Sequence, residues 1–188
     1  MSSSTNLQLL LLLFILPVIL SLPIPPSLES GNTYVEQKCK EYTFTDTDYA
    51  LCVSSIKSDP RGSTLSNTID MTLILRNVTL DRLSDTVAYV SKLNTDTADT
   101  NDKKILANVL QNYEKMRKDL ESVSRVSIPE DRKDVYTAAG SAHVDARECM
   151  DQNRGLRGGP PPEMVTRGGE LVHLSSVIVN AVFSLIQG

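Results

Sequence analysis

Apolar residues recur along this chain at steps of three and four, the spacing that lines one face of an α-helix. The clearest stretch carries Ile105, Val109, Tyr113, Met116, Leu120 and Val123, and it predicts an amphipathic helix with a polar outer face. An earlier stripe of Leu65, Ile69, Leu73, Leu80, Leu83, Val87 and Val90 predicts a long helix from about Thr64 to Leu93. Between the two, the polar run 94–100 reads as a loop, with Asn101 or Asp102 as the cap of the next helix. Ser127, Pro129 and Glu130 mark another start, in the pattern of a capping box with proline in the first turn. The helix that follows runs through Val135, Ala138, Ala139, Ala142, Ala146, Cys149 and Met150, and its alanines predict close approach to a neighbour. Gly158, Gly159 and the prolines at 160–162 interrupt the pattern. A last helix, from Met164 to Ile186, carries Leu171, Leu174, Ile178, Ala181, Val182 and Leu185, and Gly168 and Gly169 are placed to weaken or kink its first turns.

Two shorter helices precede these. One spans Ser27 to Tyr42; the other is capped within Asp46-Thr47-Asp48 and ended by Asp59-Pro60-Arg61-Gly62. No strand pattern of useful length and no repeat of fixed period is present. The expected fold is all-α: an up-down-up-down four-helix bundle preceded by a short helical hairpin.

The start of the chain has a different character. After Ser2 to Asn6, a nearly continuous apolar run from Leu9 to Leu20 is broken only by Pro17. It suits the core of a signal peptide and is too short to span a bilayer comfortably. Residues 1–26 are therefore assigned to a signal peptide, cleaved between Ser21 and Ser27, and residues 27–188 to one secreted domain. No later segment is expected to enter a membrane. The net charge of −4 and the dispersed Lys and Arg residues argue against a nucleic-acid partner, which calls for a clustered basic face.

In an oxidising compartment the three cysteines become informative. Cys39 and Cys52 are close in sequence and flank one polar turn, so they are expected to form a disulfide that closes the hairpin; a loop of this length contributes about 3 kcal/mol in the chain-entropy model. Cys149 is left over, either as a buried free thiol or as an intermolecular partner. Asn77-Val78-Thr79 is an N-glycosylation sequon, which requires Asn77 to face solvent if it is used.

Catalytic constellations are harder to find. His143 and His173 belong to no H-E-x-x-H motif, and there is no G-x-S-x-G elbow and no G-x-x-x-x-G-K-[ST] phosphate loop. His143 and Cys149 fall on different faces of one helix, which argues against a thiol–imidazole pair. No catalytic residue, metal ion or cofactor is expected.

The order of motifs carries a further indication. The Cys39…Cys52 pair is followed by Val53-Ser54-Ser55-Ile56-Lys57-Ser58-Asp59-Pro60-Arg61, which is similar to the "-V-x-S-L-x-S-D-P-R-S-" opening of the plant invertase and pectin methylesterase inhibitor family. Ile105 to Tyr113 resembles that family's "-A-L-x-x-C-L-x-x-Y-" segment, and Asp145-Ala146-Arg147-Glu148-Cys149 resembles the invertase inhibitors' "-D-A-Q-E-C-". The resemblance implies a secreted bundle that blocks the cleft of a cell-wall carbohydrate enzyme, pectin methylesterase or acid invertase, by one-to-one binding. It also implies a second disulfide, but Val109 stands where the family has a cysteine, leaving Cys149 unpaired. Where invertase inhibitors carry Pro-Lys-Phe, this chain has Asp131, Arg132 and Lys133, which become the candidate partner-binding residues and tilt the expected target towards pectin methylesterase. Two alternatives remain: a bundle of this fold without inhibitory activity, and an unrelated small hydrolase, against which the missing catalytic constellation argues.

Overall fold

A computed structural model describes residues 27–188; the expected signal peptide, residues 1–26, lies outside the described residues. The helices are α1 (Ser27–Tyr42), α2 (Asp46–Ser58), α3 (Thr68–Asp96), α4 (Thr100–Ser122), α5 (Arg132–Asn153) and α6 (Pro162–Gln187), with no strand among the described residues. Helices α3 to α6 form the bundle: each packs on its sequence neighbour, and α6 closes the ring against α3. Short connections force successive helices to run antiparallel. The hairpin α1–α2 is closed by the Cys39–Cys52 disulfide and lies against α3 and α6.

Helix ends depart from the periodicity where side chains find better partners. Thr45, rather than the aspartates after it, caps α2, accepting from the Asp48 amide at 3.1 Å and donating to the Asp48 carboxylate at 2.8 Å. Helix α3 begins at Thr68, four residues later than the periodicity predicts, because Asn67 captures the Asp70 amide and residues 62–64 form a separate 3₁₀ turn. The same helix continues to Asp96, so the connection shrinks to Thr97–Asp99, and Asp99, rather than Asn101 or Asp102, caps α4 through the amides of both. Ser127 and Glu130 do not form a capping box. Residues 123–127 and 129–131 are 3₁₀ turns, and α5 starts at Arg132 with no side-chain cap.

The buried face of α3 is also rotated from the predicted stripe. It consists of Met71, Thr72, Ile74, Leu75, Thr79, Leu83, Thr86 and Val90, while Leu73, Leu80 and Val87 are only half-buried. Three core positions are thus threonines. Each donates its hydroxyl to the carbonyl four residues back, Thr72 to Thr68, Thr79 to Leu75 and Thr86 to Arg82, all at 2.7 Å. With the hydroxyl satisfied inside its own helix, the methyl group packs into the core.

The hairpin is fastened to the bundle by polar contacts. Tyr42 Oη lies 2.9 Å from Ser184 Oγ of α6, and both Tyr34 and Tyr42 reach Thr68 Oγ1 at the start of α3. Asn180 Nδ2 donates to the Tyr42 carbonyl at 2.9 Å, and Asp48 pairs with His173. Gly62 lets the chain turn tightly after α2: a Cβ there would sit 2.1 Å from the Ile56 carbonyl oxygen.

Helix α5 packs closely on both of its neighbours, α4 and α6. Its buried residues Val135, Ala139, Ala142, Ala146 and Cys149 follow four-three spacing, a narrow seam of small side chains that allows neighbouring axes to come close. Helix α6 is long and apolar enough to cross a membrane, but its stripe from Met164 to Val182 is buried in this bundle. It runs unbroken through both glycines expected to weaken it. Gly168 serves packing instead, since a Cβ there would lie 2.4 Å from Met150 Sδ of α5, whereas Gly169 has open space. The connection 154–161 is held across the end of the bundle, with the Arg157 amide donating to Asp102 Oδ1 at 2.9 Å and Gly158 and Gly159 adopting positive φ.

The two glycines should respond oppositely to alanine. Gly168→Ala is expected to destabilise by about 1–3 kcal/mol through overpacking against Met150. Gly169→Ala should be neutral or stabilise by up to about 1 kcal/mol through helix propensity. Chemical denaturation of the two variants separates these outcomes.

Candidate functional site

Helix geometry decides which of the sequence-derived residues meet. Cys39 and Cys52 are joined by their disulfide, and Cys149 is a buried free thiol. Its Sγ lies 3.6 Å from the Val109 carbonyl of α4, so Val109 and Cys149 face each other across the α4–α5 contact. Burial pushes the thiol well above its ordinary range, with Asp145 and Glu148 adding to the effect. Such a group is a packing element rather than a nucleophile.

The histidines are also committed to structure. His143 Nδ1 lies 3.1 Å from Ser175 Oγ and 3.3 Å from the Val172 carbonyl oxygen, and burial holds its pKa below the usual value. Sequence reading did not foresee this serine–histidine contact, because the residues come from different helices. Ser175 is 1% exposed and donates to the Val172 carbonyl of its own helix at 2.9 Å, so no substrate can reach it. His173 turns the other way, to Asp48. Among the described residues, no group of His, Cys, Asp or Glu is arranged to hold a metal ion.

A cleft between α3 and α6 is lined by Arg82, Asp85, Thr86, Glu163, Arg167 and Glu170. Its cations are already paired, Arg82 with Glu170 and Arg167 with Glu163, and Arg167 also lies over the Tyr89 ring. Across the α4–α5 face, Asp119 and Asp145 are both raised above the ordinary carboxylate range. Burial is the main cause, and at Asp145 the carboxylates of Asp119 and Glu148 add to it while Lys115 opposes it.

The end of the bundle where α5 begins and α6 finishes has a different surface. Arg132 is used internally: its Nη1 donates to the Leu185 carbonyl at 3.0 Å and its Nε to the Val126 carbonyl at 3.4 Å. Asp131 holds Arg125 at 3.3 Å. Lys133 is exposed. One turn further along α5, Tyr136 meets Phe183 of α6 with ring centroids 5.7 Å apart, and both rings remain at the surface, 36% and 43% exposed. Ile128, at the connection into α5, is exposed as well. Of the three candidate contact residues, only Lys133 has a side chain without a bond to another described residue, and it adjoins an aromatic pair that the sequence periodicity did not single out.

Asn77 lies on α3, half-buried, with its Oδ1 accepting from Arg76 Nη1 at 2.8 Å. Arg76 in turn caps the end of α4, donating to the Leu120 and Glu121 carbonyls.

A helical bundle with a disulfide-closed hairpin and a vacant cysteine partner at Val109 is the frame on which the sequence motifs sit. The family model for plant invertase/pectin methylesterase inhibitors matches residues 33–181. The chain belongs to that family. A search of curated proteins gave no significant match. The match begins inside α1 and ends inside α6, so it takes in most of the hairpin and most of the bundle, stopping short of the last residues of α6. It makes the chain one of a family of proteinaceous inhibitors of pectin methylesterase or invertase, whose members are typically extracellular.

Two measurements probe this region. Val109→Cys is expected to oxidise with Cys149, closing a loop that contributes about 4 kcal/mol in the chain-entropy model; a non-reducing peptide map and a raised unfolding midpoint check it. Asp145 binds its proton more tightly when folded, so its contribution to stability falls as pH rises through the folded pKa. Asp145→Asn should therefore raise the melting temperature at pH 7, with the gain vanishing near pH 3, where folded and unfolded carboxyls are both protonated.

Proposed function

We propose that this chain is a secreted inhibitor that binds a pectin methylesterase one to one and obstructs its substrate cleft. The observation that carries the reading is the Tyr136–Phe183 pair beside Lys133, standing on the rigid end of a family inhibitor bundle. Paired aromatic rings present large, stiff apolar area at small entropic cost, the character of interface hot spots. A cleft that receives a carbohydrate chain offers surfaces suited to ring stacking, and an inhibitor placing aromatics there excludes the sugar. Lys133 adds a free cation one turn away.

Acid invertase is the second reading, favoured by the Asp145-to-Cys149 segment that resembles the invertase inhibitors. Against it stands the absence of Pro-Lys-Phe at 131–133. The apolar run Leu9–Leu20 supports passage through the secretory route, and on that route the protein and its target share the extracellular space.

The deciding assay titrates pectin methylesterase and acid invertase with the purified, signal-free protein, at acidic and neutral pH. Saturable loss of esterase activity at one-to-one stoichiometry is expected. Tyr136→Ala with Phe183→Ala should weaken binding at least about tenfold, equivalent to about 1.4 kcal/mol, and Lys133→Ala should weaken it less. Arg132 is left unchanged in these variants because it holds the Leu185 carbonyl. Full activity of both enzymes at micromolar protein, across several isoforms, would establish the non-inhibitory bundle instead.

A further inference from the structure

The sequon Asn77-Val78-Thr79 begins nine residues after the start of α3, in continuous helix. Its hydroxyl-bearing residue, Thr79, is 0% exposed and donates to the Leu75 carbonyl at 2.7 Å. Val78 is half-buried against the core. Asn77 is different: Arg76 holds its Oδ1, but its Nδ2 is neither bonded nor among the fully buried polar atoms, so it keeps contact with solvent. The folded bundle leaves Nδ2 in contact with solvent and the Thr79 side chain buried. It cannot present the sequon to a transferase, which must engage the Asn amide and the Thr hydroxyl together.

We propose that Asn77 is an N-glycosylation site open only before α3 packs, so that folding and modification compete for the same residues. The inference rests on the secreted reading above. In the transfer, the Asn77 Nδ2–C1 bond forms and the C1–O bond of a lipid-diphosphate-linked oligosaccharide breaks. The lipid diphosphate leaves with that electron pair, and one amide proton is lost to solvent. Thr79 then returns to the core, and its switch from sequon hydroxyl to helix-bonded side chain closes the site. The sugar is left on α3, which lies diagonally across the bundle from α5. Re-exposure of Thr79 requires α3 to open against α4 and α6, a large part of the global unfolding reaction.

The test compares nascent and folded full-length chains. Translation into endoplasmic-reticulum microsomes should yield one endoglycosidase-sensitive glycan, absent in Asn77→Gln and in Thr79→Ala and retained in Thr79→Ser. Unglycosylated, folded protein incubated with solubilised oligosaccharyltransferase and its lipid-linked donor should be modified at least about tenfold less than a full-length Leu83→Pro variant. That variant's α3 cannot close, because proline removes a helix hydrogen bond and clashes with the preceding turn. Folded protein modified as readily as Leu83→Pro would overturn the proposal. A parallel chain carrying a proven secretory signal in place of residues 1–26 keeps the two readings apart. If that chain is protected from protease yet bears no glycan, the proposal fails. If only the chain with its own N-terminus remains protease-accessible, the secreted reading fails and the site stands.

Discussion

Close packing of α5 against α4 and α6 is the constraint from which the rest of this structure follows. Its seam of Ala139, Ala142, Ala146 and Cys149 carries almost no side-chain bulk, so neighbouring helices approach closely and their own side chains must fit. Gly168 is the complementary concession on α6, leaving space for the Met150 thioether. Tyr113 of α4 is fully buried in the same region, and its hydroxyl finds no partner among the described residues. At one end of α5 this packing brings Arg132 to the Leu185 carbonyl and Tyr136 to Phe183; towards the other it sets Cys149 against Val109.

The missing second bridge fits the same frame. A disulfide between α4 and α5 constrains the unfolded chain more than it reshapes the folded one. Val109 and Cys149 are both fully buried, so the contact survives as ordinary apolar packing. The remaining disulfide is local to the hairpin, and the hairpin is held to the bundle by its buried Val35, Tyr42 and Ile56 together with the hydroxyls of Tyr34, Tyr42, Thr68 and Ser184, the Asn180 amide, and the Asp48–His173 pair.

Rigidity of this kind suits an inhibitor. Side chains that could have supported chemistry are spent on structure: His143 and Ser175 on each other and a helix carbonyl, Cys149 on the core, Arg132 on two carbonyls. Among the described residues, the α5–α6 end keeps Ile128, Tyr136, Phe183 and the Lys133 side chain at the surface.

The order, number and type of the helices were legible in the sequence, because a 3.6-residue period is written in local choices of apolar and polar residues. So was the family, through motifs that keep their order along the chain. The helix ends were less legible: Thr45, Asn67 and Asp99 won the capping positions over neighbours with equal capacity, and that choice depends on the dihedral angles of a few residues. The face of α3 was hidden because a threonine counts as polar until its hydroxyl is bonded inside its own helix. Only the tertiary structure gave Gly168 a packing role, split Asp131, Arg132 and Lys133 into two bonded residues and one free one, and joined Tyr136 to Phe183. Those contacts lie between residues far apart in the chain, so they depend on how whole helices meet, which no local pattern records.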